Sequence, residues 1–350
     1  MTTAMSTAGG ATILGCIGPT LSSDESAFFR AAAPWGFILF ARNVEDPAQL
    51  RRLTAELRES VGRDAPIFVD QEGGRVQRLR APHWTEWLPP LDMVKLAMAS
   101  AAPGQELAVA VRAMWLRYRL IAAELRDVGI DGNCAPCLDV ASDETHPFLR
   151  NRCYSDDPAI VTRLGRAAAD GHLAGGVLPI VKHMPGHGRA TLDSHKDLPM
   201  VGVPRNILEK HDFAPFRALA DLPLAMTAHI IYSAIDPDHP ATTSPRMVRT
   251  MREDIGFCGL LISDDLSMNA LSGNVAERAA ATIAAGVDIA LHCSGNLDEM
   301  EAVVLAAGHM TPKAYQRAQS ALQARTSPET VDIGALRSDL SGLLDGQGHV

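Results

Sequence analysis

The chain has 350 residues, 47% of them hydrophobic and 21% charged, and a formal net charge of −9. That composition supports a sizeable core and argues against disorder, and the acidic balance without any lysine- or arginine-rich run gives nucleic-acid binding little electrostatic support. No apolar run is long enough to span a bilayer, and the N-terminal MTTAMSTAGGATILGCIGPT has no basic residue ahead of its apolar part, which makes a poor secretory signal; a soluble, cytoplasmic protein is the expectation.

Short apolar runs alternate with helical patterns along the chain. The strand candidates are 11–18 (ATILGCIG), 36–40 (GFILF), 67–71 (IFVDQ), 133–140 (NCAPCLDV), 177–183 (VLPIVKH), 224–230 (LAMTAHI), 260–266 (LLISDDL) and 288–293 (DIALHC). Segments such as DPAQLRRLTAELRESV and LAVAVRAMWLRYRLIAAELRDVG carry one apolar and one charged face, as helices covering a sheet do. The strands read as apolar runs rather than alternating patterns, which suits burial on both faces. Eight β-α units predict an α/β fold, a single (β/α)₈ TIM-type barrel spanning residues 1–350, with closing helices and a short polar tail after about 310. A doubly wound open sheet is the alternative, weakened because no G-x-G-x-x-G follows the first strand.

Barrel enzymes work at the C-terminal ends of their strands. Those ends read DQEGGRVQR, LDV, VKHMPGHGRATLDSHKDLPM, TAHI, SDDLSM and HCSGN, so nearly every one carries ionisable or hydrogen-bonding groups. Asp264 and Asp265 follow directly on an apolar strand, where a carboxylate is desolvated unless it is paired or functional. One of them is expected to face the barrel axis as nucleophile or electrostatic stabiliser, and the other to cap the LSMNAL segment. Asp193 and His195 form a carboxylate–imidazole pair in a glycine-rich loop, a usual way to orient a general acid or base. Asp70, with Arg75 and Arg78, suits a polyhydroxylated ligand, the alternative being an internal ion pair. Lys182 and His183 add donors at the end of the fifth strand.

A metal site built from His183, His187, His195 and Asp193 is the weaker reading, because no H-x-H or H-E-x-x-H spacing is present. No metal and no cofactor are expected. The six cysteines are scattered, and the C-x-x-C formed by Cys134 and Cys137 lacks a second pair to complete a zinc set; both are read as small core residues.

Taken together, DQEGGRVQR, KHMPGHG, DSH and SDDLSM, in that order, resemble the bacterial β-N-acetylglucosaminidases of glycoside hydrolase family 3, the cell-wall recycling type. NRCYSDDP is similar to the family's R-S-F-x-x-D-P segment and places Arg152 at the family's arginine. The resemblance implies a retaining hydrolase without metal, with Asp264 as nucleophile and His195, assisted by Asp193, as acid/base. Asp70, Arg78, Arg152, Lys182 and His183 then bind sugar. It further implies release of terminal N-acetylglucosamine from muropeptide fragments (GlcNAc-anhydroMurNAc-peptides) in the cytoplasm, by a protein without nucleic-acid or membrane partners; a monomer is expected. The chain departs from the family at Met184 (usually Phe), at Cys153 and Tyr154 (usually Ser-Phe), and at Cys137 (usually apolar). A histidine acid/base carries no charge to repel phosphate, so a phosphorylase is the alternative in chemistry. A non-catalytic amino-sugar sensor is the alternative in class.

Overall fold

The computed structural model describes residues 9–192 and 198–345. Eight strands form one parallel sheet: β1 (Gly10–Gly15), β2 (Pro34–Leu39), β3 (Ile67–Val69), β4 (Gly132–Asn133), β5 (Leu178–Met184), β6 (Leu224–Thr227), β7 (Leu260–Ile262) and β8 (Ala290–His292). They are ordered β7-β6-β5-β4-β3-β2-β1-β8. A parallel bridge between Ile262 and Ile289 joins the two ends of that order, and Ser263 N–H donates to Ile289 O at 2.9 Å, so the sheet is a nearly closed barrel rather than an open one.

Each sheet strand coincides with a sequence candidate, but several are shorter. The strand itself is Gly132–Asn133, just one residue of the 133–140 run, beyond which Pro136 has no N–H to donate although Ala135, Pro136 and Leu138 still bond to β5. The 67–71 and 260–266 runs leave the ladder at Val69 and Ile262 to enter the loops of the rim.

The helices begin and end on recognisable local chemistry. Ser22 and Glu25 form a capping box on α1 (Ser23–Ala32), and Asp46 caps α2 (Pro47–Val61), which carries Pro at its first position and ends on left-handed Gly62. The helices α3 (Pro90–Ala99), α4 (Glu106–Asp127) and α5 (Pro158–Ala174) follow, then α6 (Val275–Ala285), α7 (Leu297–Ala307) and α8 (Pro312–Gln323). A further helix, α9 (Ile333–Leu344), follows α8 in the segment where closing helices were expected. It buries Leu340 and Leu343, and Asp339 accepts from Arg112 of α4 at 2.7 Å, because its apolar residues repeat at helical spacing despite the polar composition.

One apolar cluster fills the barrel and continues against α7 and α8, and another lies between the other strands and helices. Trp35 and Phe68 meet inside with ring centroids 5.9 Å apart. Next to them Gly132 is required, since a β-carbon there would sit 2.1 Å from Phe68 Cδ1. Cys134 belongs to the inner core, while Cys137 packs with Ala141, Leu149 and Cys153; all are free thiols, as the core reading expects.

Candidate active site

A cleft of about 360 Å³ opens at the C-terminal rim, and Asp70, Arg78, Arg152, Lys182, His183 and Asp264 all line it. Residues drawn from β3, β5, β7 and the loop after β4 therefore meet in one place. Asp193 and His195 lie outside the described residues, although Ala190 and Leu192, just before them, line the same cleft.

The DQEGGR segment reaches the cleft through a hairpin in which Gln71–Gly73 pairs antiparallel with Val76–Gln77. Gly73 has φ of +104°, and a β-carbon on it would lie 1.9 Å from Arg117 Nη2. That buried guanidinium donates to Glu72 O at 2.5 Å and to Leu88 O at 2.6 Å. The hairpin is thus seated on Arg117, with the Glu72 side chain directed toward the barrel mouth.

The side chains then form an alternating chain of charge. Arg78 Nη2 donates to Asp70 Oδ2 at 3.0 Å, and Lys182 Nζ lies 2.8 Å from Asp70 Oδ1 and 2.6 Å from Glu72 Oε1. Arg152 grips Glu72 with both Nε and Nη2, at 3.0 and 2.9 Å, and Nη2 also donates to His183 Nε2 at 3.2 Å. His183 Nδ1–H in turn donates to Asp139 Oδ2 at 2.7 Å. Asp139 Oδ1 receives the backbone N–H groups of His183 and His187, at 3.2 and 2.6 Å.

Each buried charge is held by a neighbour of opposite sign. Burial alone would raise the Asp70 carboxyl, but Lys182 and then Arg78 hold it well below the usual carboxylate range. Burial likewise opposes Glu72, and Arg152 and Lys182 bring it below its ordinary value. Burial disfavours the Lys182 ammonium, yet Asp70 and Glu72 keep it charged well above its ordinary value. His187 is pushed down to about 4 by burial and by His183, so its ring is neutral near pH 7.

Asp70 is ion-paired with Arg78 and Lys182, and it also lines the cleft. The two aspartates after β7 both line the cleft but bond differently. Asp264 lines the cleft, its Oδ1 accepting the N–H of Asp265 at 2.8 Å. Asp265 accepts from Ser267 N–H and Oγ–H, at 3.0 and 2.5 Å, and from Cys293 N–H at 3.2 Å. It caps a turn, since LSMNAL forms no helix. His229 locks that turn from below, donating through Nε2 to Asp265 O at 3.0 Å while Nδ1 meets Thr242 Oγ1 at 2.8 Å.

Glu72 and Asp139 were missed as site residues. The signal for Glu72 was a second acid in DQEGG, and for Asp139 the acid ending LDV; neither shows its partners until the strands close into a barrel. The histidine loop also divides differently from its sequence neighbourhood. His183 and His187 are buried against Asp139 as part of the cleft wall. Among the described residues, the groups close enough to share a metal ion are Cys137, Asp139 and His183; His183 and Cys137 were sequence candidates for such a role, in different sets, and Asp139 was not.

The model of the glycosyl hydrolase family 3 N-terminal domain matches residues 26–323. A β-hexosaminidase of Methylococcus capsulatus is 40% identical over 296 residues, covering 83% of this chain and 84% of its own. One from Xylella fastidiosa is 37% identical over 298 residues, covering 83% and 86%. The crystal structure of NagZ from Neisseria gonorrhoeae in complex with N-trifluoroacetyl-D-glucosamine superposes with a TM-score of 0.83 at 30% identity, over 96% of this chain and 98% of that one. No helix among the described residues is long and apolar enough to cross a membrane. The chain belongs to glycosyl hydrolase family 3 and is a glycoside hydrolase.

Proposed function

We propose that the protein is a retaining exo-β-N-acetylglucosaminidase, a single-domain, monomeric barrel acting in the cytoplasm on muropeptide fragments. The observation that carries this reading is the meeting of Asp264 with Asp70, Lys182 and Arg152 in one cleft, with Glu72 buried behind them and joining the two cations into one network. Carboxylates there accept sugar hydroxyl protons, and Arg78, Lys182 and Arg152 donate to ring and substituent oxygens. Because the network is nearly charge-balanced before any sugar arrives, its dipoles need little reorganisation as positive charge grows on the anomeric carbon.

In the first step Asp264 attacks the anomeric carbon while His195, oriented by Asp193, protonates the departing glycosidic oxygen. In the second, His195 takes a proton from water, which displaces Asp264 and restores the free carboxylate. Asp70, Arg78, Arg152, Lys182 and His183 hold the N-acetylglucosamine ring.

The test is phenol release from an aryl β-N-acetylglucosaminide, without phosphate, by the wild type and Asp264→Asn. Fast release that the variant loses by orders of magnitude, with ligand binding retained, supports the assignment. Near-normal turnover in Asp264→Asn refutes it. Silence until phosphate is added identifies a phosphorylase, and silence in both conditions favours a sensor or a different sugar.

A further inference from the structure

We propose that Cys137, Asp139 and His183 form a binding site for a thiophilic divalent ion of the zinc–cadmium class, and that filling it competes with sugar. The competition rests on the assignment of His183 and Arg152 to the sugar wall; the binding does not.

The three residues are buried, and their ligand atoms lie within 4.8 Å of one another. Cys137 Sγ–H donates to Asp139 Oδ2 at 3.2 Å, and that same oxygen receives His183 Nδ1–H at 2.7 Å. A tetrahedral ion with bonds of about 2.3 Å to sulfur and about 2.0–2.2 Å to nitrogen and oxygen needs ligand atoms roughly 3.3–3.7 Å apart. The sulfur–oxygen edge already approaches this, and the nitrogen–oxygen edge, now 2.7 Å, has to open by roughly 0.6–1 Å. Thiolate, imidazole and carboxylate together suit a borderline-soft ion better than magnesium or calcium. The Cys153 side chain packs in the same small cluster as Cys137, its thiol donating to Leu149 O at 3.5 Å. The approach route is the cleft itself, whose wall includes His183, Leu149 and Arg152. Both cysteines are positions where the chain departs from the family pattern, so the donor set belongs to this chain.

Occupancy would reach the sugar through one imidazole. At rest His183 donates from Nδ1 to Asp139 and accepts at Nε2 from Arg152 Nη2. An ion on Nδ1 needs that lone pair, so the ring proton moves to Nε2 and faces the Arg152 N–H, donor against donor. The Cys137 thiol proton leaves to solvent as the sulfur binds. Either the imidazole or Arg152 must then turn away, and Arg152 is tied to Glu72. Since Asp139 is fully hydrogen-bonded without an ion, the site is inhibitory rather than structural.

The experiment uses the full-length protein in a Cys258→Ser background, which removes the exposed cysteine, kept reduced with a phosphine. Cadmium is titrated while the thiolate-to-cadmium charge-transfer absorption is followed, a readout independent of turnover. The expected result is one ion per chain, with a band that Cys137→Val removes and His195→Ala leaves intact. In parallel, Cys137→Val should hydrolyse an aryl glycoside normally without metal, and should need about tenfold or more zinc for half-inhibition. No band in the parent protein, an unchanged band in Cys137→Val, or a band lost in His195→Ala would overturn the proposal.

Discussion

Arg152 and Glu72 are joined by two hydrogen bonds, Nε to Oε2 at 3.0 Å and Nη2 to Oε1 at 2.9 Å, with the Glu72 side chain 1% exposed. Lys182 reaches the same carboxylate, so a single buried acid compensates two cations from different strands and loops. Removing one member of such a buried set leaves its partners uncompensated in a poorly solvated place.

Glu72→Gln should therefore destabilise the fold by roughly 3–5 kcal/mol and lower kcat/KM by about a hundredfold. Arg152→Lys retains the charge but loses the two-pronged geometry, and its effect should be smaller. Thermal melts and steady-state kinetics on both variants check this order; a Glu72→Gln protein as stable and active as the parent would rule out the network as an organising feature.

His195→Ala should slow natural disaccharides far more than aryl glycosides with good leaving groups, since the latter need little protonation. The measurement is kcat/KM across a leaving-group series. Equal losses on all substrates would remove His195 from the role of acid.

Stability should fall on acidification in two stages. His172 is pushed down to about 3 by burial, and His187 to about 4. His172 gives Nδ1–H to Ala168 O and accepts at Nε2 from Asn133 Nδ2–H, so a second ring proton would face a donor. Because folded values below the unfolded one of about 6.5 mean the unfolded chain takes up protons first, this contribution is complete above about pH 6.5. It is lost as pH falls toward the folded values. Asp70, Glu72 and Asp139 are depressed in the folded state too, so their contribution is lost below about pH 4 and the decline steepens there. Urea midpoints measured from pH 8 to 3 test this, and a flat profile between pH 6.5 and 4.5 would contradict the histidine part.

Gly132→Ala should cost about 1–3 kcal/mol through overpacking, because the added methyl falls on the Phe68 ring. Phe68→Leu in the same chain should recover part of that loss. Denaturant unfolding of the two single variants and the double gives the coupling, and strict additivity would mean the two sites do not touch.

The barrel was readable from the sequence because each strand is an apolar run of the length a doubly covered parallel strand needs, and each is followed by a helix with one apolar face. The rim was readable for the same reason, since Asp70 after Val69, Lys182 after Val181 and Asp264 just beyond Ile262 have nowhere to go except the barrel mouth. Closing helices after about 310 were expected without bounds; the helix over 333–344 is hard to delimit in sequence because its few leucines repeat at helical spacing but are outnumbered by polar neighbours. The strand ends overran because the chain stays buried as it turns into the cleft, so hydropathy continues after the hydrogen-bond ladder has stopped.

Local pattern, then, determined the α/β barrel, the rim and most of the candidate residues, since periodicity and burial act over a few neighbouring positions. Only tertiary structure decided the partnerships. Lys182 and Asp70 are 112 residues apart, and Arg152 and Glu72 are 80 apart, yet each pair meets within hydrogen-bonding distance. The same closure brought Cys137, Asp139 and His183 together. Such contacts depend on which strands become neighbours and in what register, and no short stretch of sequence carries that information.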